Sequence, residues 1–163
     1  ENITSSVCNP SLKTITLMCS ASNLAGKAIN ITKTTAPHAV SYPLTYHFSI
    51  PHGQAVALTL PEFLLYNASV DEESIQDPRG VAYVKKTMLA LCNIIGVHKA
   101  SDAAKKILDL MKSVGLKTKL SECSVTKENI PLLLREGFHP ERMTNNPRKI
   151  TVEHLEALLK NIL

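Results

Sequence analysis

The segment AGKAINITKTTAPHAVSYPLTYHFSIPHGQAVALTLPEFLL, residues 25–65, decides how this chain is read. Ala36-Pro37 marks a fresh helical start, because proline is favoured in a first turn, where its missing N–H has no partner to lose. A short helix carrying His38 follows, and Tyr46 to Pro51 reads as a turn or loop. Gly53 to Tyr66 fits a buried strand or a buried helix by periodicity alone, and its length favours helix. Pro61 inside it predicts a kink or a break.

The flanking sequence is helical in the same way. From Pro10 to about Thr35, Leu12, Ile15, Thr16, Cys19, Leu24 and Ile29 repeat loosely every 3.6 residues, with small residues between them that allow close helix approach. Val81 to Ile95 places Val84, Met88, Leu91 and Ile95 on one face. Ser101 suits an N-cap for Asp102 to Val114, with Asp102 in the first turn and Gly115 at the end. Thr126 caps a short helix through Leu134, Asn145-Asn146-Pro147 makes a turn, and Thr151 caps the last helix, whose apolar face is Val152, Leu155, Leu158, Leu159 and Ile162. No alternating strand pattern survives, so the predicted fold class is all-α.

Composition narrows the function classes. The 163 residues suit one domain, 44% are apolar and 20% are charged. The net charge of +4 is spread along the chain, aromatics are 4% and Trp is absent, which argues against nucleic-acid binding. No stretch of eighteen uninterrupted apolar residues predicts a membrane span, and no signal peptide is visible. Cys8, Cys19, Cys92 and Cys123 lack C-x-x-C spacing and read as buried thiols of a reducing, cytoplasmic compartment. The sequons at Asn2, Asn30 and Asn67 are then chance matches. From Asn2 to Pro61 there is no Asp or Glu, which predicts helices buried on most sides or packed against another domain.

Two histidines carry the chemistry. His38 and His52 lie fourteen residues apart across an apolar stretch, and Gly53 directly follows the second. Imidazole is the commonest protein ligand for divalent transition metals. The spacing is not H-E-x-x-H, so a zinc-protease reading fails. Alone, such a pair is weak evidence for a metal, and two ordinary hydrogen-bonded histidines are the plainer reading. His47, five residues before His52, could lie near the same cleft or serve on the surface, whereas His98, His139 and His154 have no supporting context.

The words around the pair are more specific. AGKAINITKTTAPHA, then P-H52-G, then Leu60-Pro61, resemble the iron-containing (group III) alcohol dehydrogenases. The ending NNPRKITVEHLEALLKNIL is similar to that family's C-terminal helix, so the resemblance runs along nearly the whole chain. It implies the multi-helix C-terminal domain of the dehydroquinate synthase-like fold, spanning residues 1–163 as one metal and substrate domain. It implies an NAD(P)-dependent oxidoreductase in which a divalent metal, Fe(II) or Zn(II), polarises the oxygen of a small alcohol or aldehyde during hydride transfer. His38 and His52 match two of the family's four metal ligands. Tyr42 stands where many members carry a histidine facing substrate and nicotinamide, and is the candidate catalytic residue. The full-length protein is expected to be a homo-oligomer.

The chain departs from the family in two respects. No Asp or His precedes His38, where the family places its other two ligands, and no two glycines share a G-x-G spacing. The dinucleotide-binding domain is therefore expected in a missing N-terminal part, and the chain alone is expected to be inactive. A competing reading is a non-catalytic helical module for packing or dimer contacts. The glycerol dehydrogenase and dehydroquinate synthase branches share the fold, but the AGKAINITKTTAPHA wording favours the alcohol dehydrogenase branch, and the Ser41-Tyr42 variant resembles a sub-branch for small functionalised aldehydes such as phosphonoacetaldehyde.

Overall fold

A computed structural model describes residues 2–163, whose regular elements are all helices, with no strand among them; Ile75 and Arg148 form a lone antiparallel bridge. The helices are α1 (Ile3–Cys8), α2 (Leu12–Thr32), α3 (Ala36–Phe48), α4 (His52–Ala68), α5 (Val81–Ile95), α6 (Ala100–Ser113), α7 (Ile130–Gly137), α8 (Pro140–Thr144) and α9 (Val152–Asn161). The all-α expectation holds.

The core is built on α3 and α4, which pack against each other. Ala36, Ala39, Val40 and Leu44 of α3 and Ala55, Leu58 and Phe63 of α4 are buried, joined by Leu133 of α7 and Leu155 and Leu159 of α9. Gly137 at the end of α7 lies so close to α3 that an added Cβ would meet the Val40 Cα at 3.3 Å. A second cluster under α5 and α6 gathers Leu64, Val84, Met88, Cys92 and Ala103.

The prolines correct the simplest sequence reading. Pro61 neither ends nor interrupts α4, and Pro43 likewise sits inside α3. Each removes one backbone hydrogen bond, a cost of about 3 kcal/mol in an unsupported helix. Both prolines are buried, so helix continuity rests on packing on either side. The expected Tyr46–Pro51 loop shrinks to 49–51: α3 runs on to Phe48, which packs on the core, and Ser49 then turns the chain at φ +53°. Lys99, not Ser101, holds the N-cap position of α6.

The acid-free N-terminal part divides in two. From Ala36 onward it forms the core, but α1 and α2 contribute no buried residue. Leu12 is 84% and Ile31 82% exposed. The expectation of burial on most sides therefore fails for α1 and α2. Of the cysteines, Cys92 and Cys123 are buried as expected, whereas Cys8 and Cys19 are exposed; all four are free thiols.

Polar side chains fix the turn after α8. Asn146 is buried and exchanges amide hydrogen bonds with Asn67, at 2.7 and 3.2 Å. Gln76 Nε2 donates to the carbonyls of Met143 (2.7 Å) and Asn146 (3.0 Å). Asn145 Nδ2 donates to the carbonyls of Thr32 and Thr34, tying this turn to the chain just ahead of α3.

Candidate metal centre

His38 occupies the third position of α3 and His52 the first position of α4. The short turn between these helices folds the second histidine back beside the first. Their ring centroids lie 5.6 Å apart with the planes tilted by 60°. Two imidazoles bound to one first-row ion at about 2.1 Å each would place their centroids roughly 5 Å apart. The pair therefore fits two corners of a coordination sphere. Among the described residues no group of three or more His, Cys, Asp or Glu could hold a metal ion, so the remaining ligands are not supplied by these residues.

Ser41 joins the two histidines. This buried hydroxyl donates to the His38 carbonyl oxygen at 2.7 Å, and its Oγ lies 3.3 Å from His52 Nδ1. A hydroxyl has one proton. With that proton committed to the carbonyl, Ser41 can only accept from His52, which favours the tautomer protonated at Nδ1 and leaves the Nε2 lone pair free. Second hydrogen bonds of this kind set the orientation of ligating imidazoles.

Electrostatics favour a neutral His38. Partial burial, then the neighbouring His52, then Arg142 hold its pKa below the ordinary histidine value. A neutral imidazole is the form that coordinates a metal.

Tyr42 follows His38 by one helical turn and shares its face. Its ring stacks on His52, with centroids 5.8 Å apart and planes 24° from parallel. Arg142 from α8 also lies over this ring: its Cζ is 4.5 Å from the Tyr42 ring centroid, and its Nη1 donates to the Tyr42 hydroxyl. A guanidinium, a phenol and an imidazole thus adjoin one another at one edge of the site.

The other histidines stand elsewhere. His47 is paired with Glu136 on α7 at 2.7 Å. His98 contacts Asn93, and His154 belongs to the α9 capping box with Thr151 while contacting the Tyr66 hydroxyl at 3.0 Å. His139 precedes α8 without a side-chain capping bond. Sequence reasoning missed two contributors. Ser41 had a usable signal, a small hydroxyl residue one turn after a ligand candidate. Arg142 had none, because it is a hundred residues from Tyr42 and only the tertiary fold brings them together.

Residues 1–163 match the Fe-containing alcohol dehydrogenase family, C-terminal. The chain is 33% identical over 139 residues to the phosphonoacetaldehyde reductase of Streptomyces viridochromogenes, covering 85% of this chain and 34% of that protein. It is 31% identical over 122 residues to the lactaldehyde reductase of Escherichia coli K12, covering 74% and 30%. Its fold superposes with a TM-score of 0.79 and 31% identity on the sulfoacetaldehyde reductase of Bifidobacterium kashiwanohense, whose crystal structure holds NAD+, over 99% of this chain and 40% of that one. The chain thus spans about a third of the length of these curated relatives.

Proposed function

The chain belongs to the Fe-containing alcohol dehydrogenase family, and from that premise we propose that it is the metal- and substrate-facing half of an NAD(P)-dependent aldehyde reductase or alcohol dehydrogenase. The paired imidazoles of His38 and His52, oriented through Ser41, carry this reading. The substrates are small aldehydes and the corresponding alcohols. Relatives named for phosphonoacetaldehyde, sulfoacetaldehyde and lactaldehyde support that size range.

His38 and His52 would hold the ion through one ring nitrogen each, with the remaining ligands and the dinucleotide site lying outside this chain. An Fe(II) or Zn(II) ion bound there would act as a Lewis acid on the substrate oxygen. Reduction of an aldehyde adds a hydride from the nicotinamide to the carbonyl carbon and a proton to the oxygen. Tyr42 is the candidate proton donor. Its Oη accepts from Arg142 Nη1, so its own proton is free to point toward a substrate oxygen. The stack on His52 keeps the phenol beside the metal ligands.

Among the described residues no helix is long and apolar enough to cross a membrane. We place the protein in the cytoplasm, as a homo-oligomer in its full-length form, with no nucleic-acid partner. Residues 1–163 form a single metal and substrate domain that has no turnover by itself. A second reading, a packing or dimerisation module, draws on the exposed apolar side chains of α2.

The deciding experiment expresses the longest product its gene encodes, removes metal with a chelator, and follows NADH and NADPH oxidation with small aldehydes before and after Fe(II) or Zn(II) is restored. Metal-dependent turnover that His38→Ala and His52→Ala both abolish is expected. Turnover that survives either substitution would sink the metal-site assignment.

A further inference from the structure

We propose that Arg142 is a specificity-determining residue that selects aldehydes carrying an oxyanion, a phosphonate or sulfonate, beside the carbonyl group. The inference rests on the aldehyde-reductase reading above and deepens it.

The argument begins with how the four arginines are used. Arg79 is paired with Asp77 and Arg135 with Glu136. Arg148 donates to the Tyr66 carbonyl and to the hydroxyls of Ser69 and Ser74. Arg142 has no carboxylate within ion-pair distance among the described residues, and its side-chain hydrogen bond is the one from Nη1 to the Tyr42 hydroxyl. A guanidinium presents several N–H donors in a planar fork that matches carboxylate, phosphonate or sulfonate oxygens. Most of that fork remains unspent.

Its position is fixed as well as free. Gln76 clamps the carbonyls of Met143 and Asn146 next to it, and Asn145 ties the same turn to the start of α3. The fork therefore approaches Tyr42 from a rigid base, and Tyr42 in turn lies on His52. Arg142 also lines a neighbouring cavity of about 730 Å³ with Lys33, a second cation, and the carboxylate of Glu141; His38, Tyr42 and His52 do not line it. A short substrate whose carbonyl faces the histidines would bring a group one or two carbons away towards this guanidinium. An oxyanion there gains a charge-assisted bidentate contact; a methyl group leaves the guanidinium to water. Discrimination then comes from a contact that one substrate makes and the other cannot.

The test uses the longest product of the gene, loaded with metal and NADH. Phosphonoacetaldehyde, sulfoacetaldehyde and propanal are compared in wild type, Arg142→Gln and Arg142→Lys. In Arg142→Gln the ratio of kcat/KM for each anionic aldehyde over propanal is expected to fall about tenfold or more, chiefly through KM, with Arg142→Lys retaining part of the preference. The two anionic substrates also show whether the site favours phosphonate or sulfonate. A ratio unchanged within about twofold would mean that Arg142 only props Tyr42, and would overturn the proposal while leaving the reductase reading intact. If no aldehyde is reduced, the reductase reading fails and a titration decides the Arg142 question. Methylphosphonate and methanesulfonate are followed by NMR in the same proteins. Binding weakened about tenfold in Arg142→Gln supports the proposal, and equal or absent binding overturns it.

Discussion

Ser41 Oγ lies 3.3 Å from His52 Nδ1, so a hydroxyl in the second turn of α3 orients an imidazole at the start of α4. Ser41 is fully buried and its proton goes to the His38 carbonyl. Removing the hydroxyl leaves His52 free to rotate and to change tautomer. Ser41→Ala is expected to weaken Zn(II) affinity of the full-length protein by about tenfold or more, the usual effect of losing such a partner. Competition against a chromophoric chelator measures it. An unchanged affinity would remove Ser41 from the site.

The two histidines differ from His47 in what they touch. His38 and His52 face each other, whereas His47 is spent on Glu136. In the chain by itself, His38→Ala or His52→Ala should abolish weak Zn(II) or Co(II) binding, while His47→Ala leaves it intact. The absorption of Co(II) reads the outcome directly. Equal losses in all three variants would show that the metal binds nonspecifically to surface imidazoles.

Acid should cost this fold stability through His38. Its folded-state pKa lies below the ordinary value of 6.5, chiefly because of burial. As pH falls through 6.5 the unfolded chain takes up a proton that the folded chain resists. Stability therefore declines in the window below 6.5 and gains nothing from this group above it. His38→Gln removes that contribution. Urea unfolding of both proteins between neutral and mildly acid pH should show the wild type losing ground relative to the variant. Parallel pH curves would contradict the burial argument.

Gly137 tests the close approach of α7 to α3. An alanine Cβ would press on the Val40 backbone at 3.3 Å, where no flexible side chain can yield. Alanine gains up to about 1 kcal/mol of propensity in a helix interior, but Gly137 ends α7 and most of that gain is lost. Overpacking typically costs about 1–3 kcal/mol. Gly137→Ala is expected to destabilise the chain by about 1 kcal/mol in urea titrations. A stabilised variant would show that α7 can shift outward without loss.

Much of this architecture was legible because the signals were local. Ala36-Pro37 set the start of α3, and Thr151 capped α9 as its sequence indicated. The histidine pair was legible because both candidates open successive helices, His38 at the third position of α3 and His52 at the first of α4. What stayed hidden depends on packing between distant segments. Pro43 and Pro61 are tolerated inside helices because the faces around them are buried. The end of α3 moved to Phe48 because of core contacts that no local pattern encodes. Arg142 reaches Tyr42 only through the turn that Gln76 and Asn145 hold in place.

The exposed N-terminal helices supply the last prediction. Neither α1 nor α2 buries a residue, and α2 is held by its Ser11–Thr14 capping box, its own backbone bonds and two side-chain bonds near its ends, from Ser6 to the Thr14 carbonyl and from Asn145 to the Thr32 carbonyl. Isolated helices of that length are marginal in water, since nucleation is costly and packing normally supplies most of their stability. In α4, by contrast, Ala55, Leu58 and Phe63 lock the backbone to its neighbours. Opening free energies follow such differences in burial. Native-state hydrogen exchange of the chain alone should show α2 amides exchanging through local opening, many-fold faster than those of α3 and α4. The full-length protein should protect α2 if another part of it covers Leu12, Leu24 and Ile31, which are all exposed in this chain. Protection of α2 equal to that of α4 in the chain alone would mean that self-association already covers the face, and a concentration series of the exchange rates would expose it.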